Sequence, residues 1–223
     1  MASQAGQGAE PRVPLSRERV LRAAINLADE SGIESLTMRK LAQVLGVEAM
    51  TLYYYVAKKD DILDGIVDLV VSEMELADGG AGWKVAIRKT AISAHEVLVR
   101  HPWAASLMMS TTGVSPARLR WMDSLLRCLR EAGFSAELTH HAYHALDSHI
   151  TGFTLWEVSF PFDAAELANI GVAFLRELPG DEYPYLAEHI EQHLTPSSHD
   201  DEGEFEFGLD LILDGLERLR DTS

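Results

Sequence analysis

At 223 residues and 47% apolar content, the chain is long enough to bury a sizeable core in one large or two small domains. Cys128 is its one cysteine, so no intrachain disulfide can form, and no apolar run reaches the ~20 residues that a membrane-spanning helix needs. The net charge of −16 argues against a nucleic-acid partner only if it is evenly spread, and it is not: residues 1–64 hold eight Lys/Arg against nine Asp/Glu, residues 65–223 eleven against twenty-six. Phosphate binding answers to local charge, because exposed charges are screened beyond roughly 8–10 Å. A near-neutral first part carrying Arg39, Lys40, Lys58 and Lys59 can therefore meet DNA, and the acidic remainder disfavours the wrong orientation.

The opening residues, MASQAGQGAE, lack the basic-then-apolar order of a signal peptide, which predicts a cytoplasmic protein. Residues 1–14 have no periodicity and are expected to form a mobile arm. Ser16 can cap a first helix whose apolar face is Val20, Ala24, Leu27 and Ala28, ended by Gly32. The run 36–59, LTMRKLAQVLGVEAMTLYYYVAKK, organises the chain. Thr37 is a good N-cap, and Met38, Leu41, Ala42 and Leu45 follow at helical spacing. Gly46 stops that helix, and a second one is predicted over Glu48–Tyr55. On its wheel Leu52 and Val56 share one side; Met50 and Tyr54 lie opposite, flanked by Thr51 and Tyr53. The core needs only the Leu52 side. An exposed polar-aromatic face on a helix–Gly turn–helix has the geometry that enters a DNA major groove; the plainer alternative is that Tyr53–Tyr55 are packing aromatics. A further helix is predicted over 62–77, and Asp78–Gly82 reads as a linker.

The rest reads as helical throughout, near 83–100, 103–111, 116–132, 135–159, 163–178, 184–194 and 204–220, with breaks that include Thr112-Gly113 and a polar loop at 196–204. The predicted fold is all-α: an N-terminal three-helix helix-turn-helix DNA-binding domain (15–65) after the arm (1–14), then a C-terminal helical ligand-binding and dimerisation domain (66–223). In the last helix Phe205, Leu209, Ile212 and Leu216 form one stripe, with Leu211 and Leu213 outside it. Gly208 and Gly215 lie seven apart, where another helix could approach closely. A terminal helix apolar on more than one side predicts a partner subunit.

The run GIESLTMRKLAQVLGVEAMTLYYYVAKKDDIL resembles the DNA-binding domain of the TetR family of bacterial transcriptional regulators, and GFTLWEV and FEFGLDLILDGLERL resemble its tetracycline-repressor-like C-terminal domain. The resemblance implies a ligand-responsive repressor, homodimeric on a palindromic operator, with helices 135–159 and 204–220 at the interface; Phe205, Gly208, Leu209, Ile212, Gly215 and Leu216 are its candidate residues. It implies that Arg39 reads a base, where a planar fork suits guanine, and that Thr37, Tyr53 and Lys59 contact phosphates. Thr51 stands where its methyl could meet a thymine. Ala49, Met50, Tyr54 and Tyr55 occupy recognition-helix positions with residues of their own, which implies an operator of its own.

For the ligand, the resemblance places Met108 and Phe160 where tetracycline-binding members hold magnesium through His and Glu. Neither residue is a ligand for a hard cation, so magnesium–tetracycline is not expected. Thr111 matches a polar pocket position. Met108, Met109, Trp121, Met122, Phe153 and Trp156 would border a pocket for a bulky, largely apolar or aromatic effector, unless they simply fill the core. His149 is either a polar anchor there or a satisfied core histidine. His140/His144 and His189/His193 stand four apart, a spacing compatible with zinc, but no Cys-rich cluster or firm third ligand accompanies them; no metal, cofactor or enzymatic activity is expected. The rival readings are a helix-turn-helix regulator controlled by a protein partner, and an all-helical small-molecule carrier without specific DNA binding.

Overall fold

Ser16 opens the first helix as its position predicts: its hydroxyl accepts the Arg19 backbone N–H at 3.2 Å. The computed structural model describes residues 14–110, 115–160, 164–179, 182–194 and 203–222. The expectations for the arm before Pro14, for Thr111 and the break at Thr112-Gly113, and for most of the 196–204 loop lie outside these residues. Among the described residues there are eleven α-helices and no strand.

Helix α1 spans Arg17–Ser31 and α2 spans Met38–Leu45. Thr37 caps α2, its hydroxyl accepting the Lys40 N–H at 3.2 Å. Gly46 ends it at φ +65°, a left-handed conformation that a side chain would make costly. Helix α3 is Ala49–Leu52, and so stops short of the predicted end at Tyr55. The N–H groups of Tyr54 and Tyr55 bond three residues back, to the carbonyls of Thr51 and Leu52, so the chain tightens into a turn where a longer helix is expected. Helix α4, Lys59–Val71, starts earlier and stops earlier than predicted. Its start is fixed by the Asp61 carboxylate, which accepts the Ala57 and Lys58 N–H groups at 2.9 and 3.2 Å. At its end the Ser72 hydroxyl donates to the Leu69 carbonyl at 2.6 Å, and Glu73 and Met74 bond only three residues back.

Seven further helices follow within one or two residues of their predicted bounds: α5 Trp83–Arg100, α6 Pro102–Ser110, α7 Pro116–Glu131, α8 Ala136–Ser159, α9 Ala164–Glu177, α10 Pro184–His193 and α11 Glu204–Asp221. The expected linker contains a short 3₁₀ turn, Gly79–Ala81, stapled by Asp78 accepting from the Gly80 N–H.

The helices form two compact units. The first comprises the described residues up to Glu75 together with Arg100–Asp123. Leu21, Ala24, Leu41, Leu52, Ile62 and Ile66 are buried in it. Its polar centre is Asp29 on α1, whose carboxylate accepts His101 Nδ1–H at 2.9 Å and Trp103 Nε1–H at 2.6 Å. Asp68 on α4 accepts the Ser115 hydroxyl and the Ala117 N–H, at 2.6 and 2.8 Å, and so caps α7.

The second unit comprises Leu76–Val99 and the described residues from Ser124 onward. Helix α11 packs on α8, and Phe205, Leu209, Leu213 and Leu216 face inward. Lys84 on α5 meets Asp214 and Glu217 of α11, and Arg88 meets Asp210, at 2.6–2.8 Å. Helices α9 and α10 pair with each other.

Candidate DNA-recognition surface and ligand-binding unit

Helix α3 is anchored from behind. Leu52 and Val56 are buried, at 0% and 3% exposure, and hold the backbone of a segment too short to be helical alone. Met50 and Tyr54 consequently point outward, at 73% and 88% exposure, with Tyr53 beside them also exposed. The wheel drawn from sequence therefore has the right orientation, and the packing role fits Tyr55 alone, which is half-buried. Ala49 and Thr51 are half-buried on the flanks; Arg39 and Lys59 are exposed. Thr37 is exposed too; its oxygen receives the Lys40 N–H, which leaves its own hydroxyl hydrogen to donate outward. Lys58 pairs with Asp60 at 3.2 Å, a hydrogen bond that raises its pKa and keeps it charged.

The residues expected around the ligand fall into two groups. Met108 and Trp121 are buried and Met122 half-buried in the first unit, where Met109 is exposed. His149, Phe153 and Trp156 belong to the second unit, and there they are brought together. The Phe205 ring is sandwiched between two imidazoles: His95 stacks on it at 4.0 Å and His149 at 4.8 Å between ring centres. Phe153 packs edge-on against Phe205 and contacts Trp156. A cavity of about 290 Å³ opens beside this stack, lined by His95, Phe153, Trp156, Glu157, Phe205 and neighbouring residues of α11.

His149 is not among the lining residues. Its ring is half-buried, and its Nε2 donates to the Phe205 carbonyl at 2.9 Å. His95 and Glu157 line the cavity although neither is a candidate in the sequence: Glu157 falls within the GFTLWEV run without a role of its own, and His95 meets Thr154 and Glu157 only across about sixty residues of chain, a distance no local spacing signals. Burial is the main cause that pushes the His95 pKa below its ordinary value, opposed by the Glu157 carboxylate.

The apolar stripe of α11 is divided. Phe205, Leu209 and Leu216 are buried within the chain's own core. Gly208 does permit a close helix approach, but to α8 of the same chain: a Cβ there would lie 2.6 Å from the His149 ring. Ile212 and Gly215 are half-exposed, and Phe207, Leu211 and Leu219 are exposed, so the outward apolar face of α11 is theirs. The rings of His140 and His144 are 4.5 Å apart and those of His189 and His193 5.1 Å, yet no group of three metal-ligating side chains exists among the described residues.

A helix-turn-helix carrying an outward polar-aromatic face precedes a separate helical unit with a cavity, and both parts have counterparts in known proteins. The family profile of bacterial regulatory proteins of the tetR family matches residues 20–66, and that of the tetracyclin repressor-like C-terminal domain matches residues 76–220. The chain belongs to the TetR family. It is a DNA-binding, ligand-responsive transcriptional repressor in that family's all-α architecture.

Among TetR-family relatives, the HTH-type transcriptional repressor DrrR1 of Streptomyces coeruleorubidus is 31% identical over 220 residues, 94% of this chain and 80% of that protein. The class D tetracycline repressor protein of Escherichia coli is 31% identical over 208 residues, 91% of this chain and 89% of its own length. The structure of Streptomyces coelicolor ActR in complex with actinorhodin matches at a TM-score of 0.76 and 27% identity, covering 93% of this chain and 99% of that one. Among the described residues, no helix is long and apolar enough to cross a membrane.

Proposed function

We propose that this TetR regulator acts in the cytoplasm as a homodimer on a palindromic operator and is released from it by a small, largely apolar effector, without enzymatic activity. The exposed Met50 and Tyr54, held outward by buried Leu52 and Val56, carry this reading, because a solvent-facing aromatic and thioether on a rigid helix have no packing role. Residues 15–65 form the reading head and 66–223 the ligand-binding and dimerisation part. Arg39 reads a base with its planar fork, while Ala49, Met50, Thr51 and Tyr54 line the groove. Thr37, Tyr53 and Lys59 donate to phosphates and fix the register.

Helix α4 follows the reading head directly. Its movement on ligand binding would change the separation of two recognition helices that must meet half-sites about one helical turn, ~34 Å, apart. A small change there costs several contacts at once. The second subunit packs on the outward apolar face of α11, with Gly208, Ile212 and Gly215 at its margin, beside α8.

A binding assay on genomic fragments with purified protein at fixed salt tests this reading. A protected palindrome that is lost with Arg39→Ala is the expected result. Absence of any specific fragment at moderate salt contradicts it.

A further inference from the structure

We propose that the cavity between α5, α8 and the start of α11 binds an organic cation: an ammonium carried on an aromatic or alicyclic frame. The inference rests on the reading of the second unit as the effector-binding part and names the chemistry of the effector. Thr154 Oγ1 donates its hydrogen to the Ile150 carbonyl at 2.7 Å and stands 2.9 Å from His95 Nδ1. With its one hydrogen committed, the Thr154 oxygen can only accept, so Nδ1 carries the imidazole proton. Nε2 of the neutral ring then presents a lone pair 3.2 Å from a Glu157 carboxylate oxygen. Two acceptors facing each other at this distance call for a donor. Burial disfavours the charged imidazole and so holds back the solvent proton that would otherwise supply one. An ammonium N–H entering from the cavity supplies it.

The remaining walls point the same way. Glu204 and Glu206 add carboxylates to the lining, and no Lys or Arg lines the cavity among the described residues. Phe153 and Trp156, with ring centres 5.7 Å apart, give an apolar wall whose π faces attract a cation. A neutral apolar molecule would gain from these rings alone, and an anion would be repelled. The cavity, about 290 Å³, is at the small end of small-molecule sites and admits a single ring with an aminoalkyl arm.

Titration calorimetry on the full-length protein at neutral pH, without DNA, tests the proposal with three probes on one frame: 4-phenylbutylamine, 4-phenylbutanol and 4-phenylbutyrate. The amine is expected to bind at least about tenfold more tightly than the alcohol, with the carboxylate weakest. Glu157→Gln, checked for folding by circular dichroism, should abolish the amine's advantage over the alcohol. Glu206→Gln should weaken the amine severalfold, and Trp156→Ala should weaken amine and alcohol alike. Equal binding of amine and alcohol, an amine preference that survives both glutamate substitutions, or no amine binding at millimolar concentration overturns the cation site. Because no operator is present, this outcome is separable from failure of the effector reading. An amine that binds with the expected preference yet leaves operator affinity unchanged overturns the cavity's regulatory role and leaves its cation chemistry standing.

Discussion

Replacing Gly208 by alanine sets two effects against each other inside α11. Alanine in a helix interior is favoured over glycine by ~1 kcal/mol. At this position, however, a Cβ would lie 2.6 Å from His149 Cε1, so the imidazole must move. That ring is held twice, by its Nε2–H bond to the Phe205 carbonyl and by its stack on the Phe205 ring. Losing the hydrogen bond costs ~1 kcal/mol and losing the stack about the same. The helix gain offsets only half of this, which leaves Gly208→Ala less stable by about 1 kcal/mol. Gly215, on the same helix, has nothing within 4 Å of the place a Cβ would take, so Gly215→Ala should gain up to ~1 kcal/mol. Urea unfolding at one fixed protein concentration compares the two directly. A Gly208→Ala protein as stable as the wild type would refute the reasoning, because it would mean that the imidazole yields at no cost. If a second subunit covers Gly215, its alanine variant instead shifts sedimentation toward monomer.

Leu52→Ala should lower stability by ~2–5 kcal/mol and abolish operator binding, since α3 then loses its anchor; thermal unfolding and a gel shift together check this. Asp29→Asn keeps the volume and one oxygen that both N–H groups reach, but it removes the carboxylate charge that strengthens these bonds and sets an amide NH2 where Oδ2 stands 3.0 Å from His101 Nδ1, so a loss of ~2 kcal/mol is expected in denaturant unfolding. The His95 pKa lies below its ordinary value of 6.5 in the folded chain, so between the two values the unfolded chain binds the extra proton. Stability is therefore complete above pH 6.5 and falls as pH drops below it. Melting temperatures measured downward from neutrality should show this decline, and His95→Asn should flatten it.

The recognition element is legible in the sequence because its signals are local. Thr37, Gly46 and the Leu52/Val56 spacing each act within one or two turns, and a wheel is enough to place Met50 and Tyr54 outside. The ends of α3 and α4 escape the pattern because periodicity does not register competition for backbone hydrogen bonds. Tyr54 and Tyr55 satisfy the helical pattern yet bond three residues back, and Asp61 starts α4 at Lys59 by drawing in two amides. The division of the α11 stripe and the His95–Phe205–His149 stack lie beyond the sequence for another reason. Both depend on which side of α11 meets α8, and an apolar stripe looks the same whether its partner is the same chain or another. The Asp29 cluster joins residues more than seventy positions apart, and no spacing rule reaches that far.

The account rests most heavily on the outward face of α3 reading bases. Selecting binding sites from a random DNA pool with the wild type and with the double variant Met50→Ala, Tyr54→Ala tests it most directly, with circular dichroism to confirm that both are folded. The expected result is two palindromes of equal half-site spacing that differ at the same positions in each half, with similar dependence on salt because the phosphate contacts are untouched. Recovery of the same sequence by both proteins, at the same affinity, would contradict the account and return those side chains to mere surface.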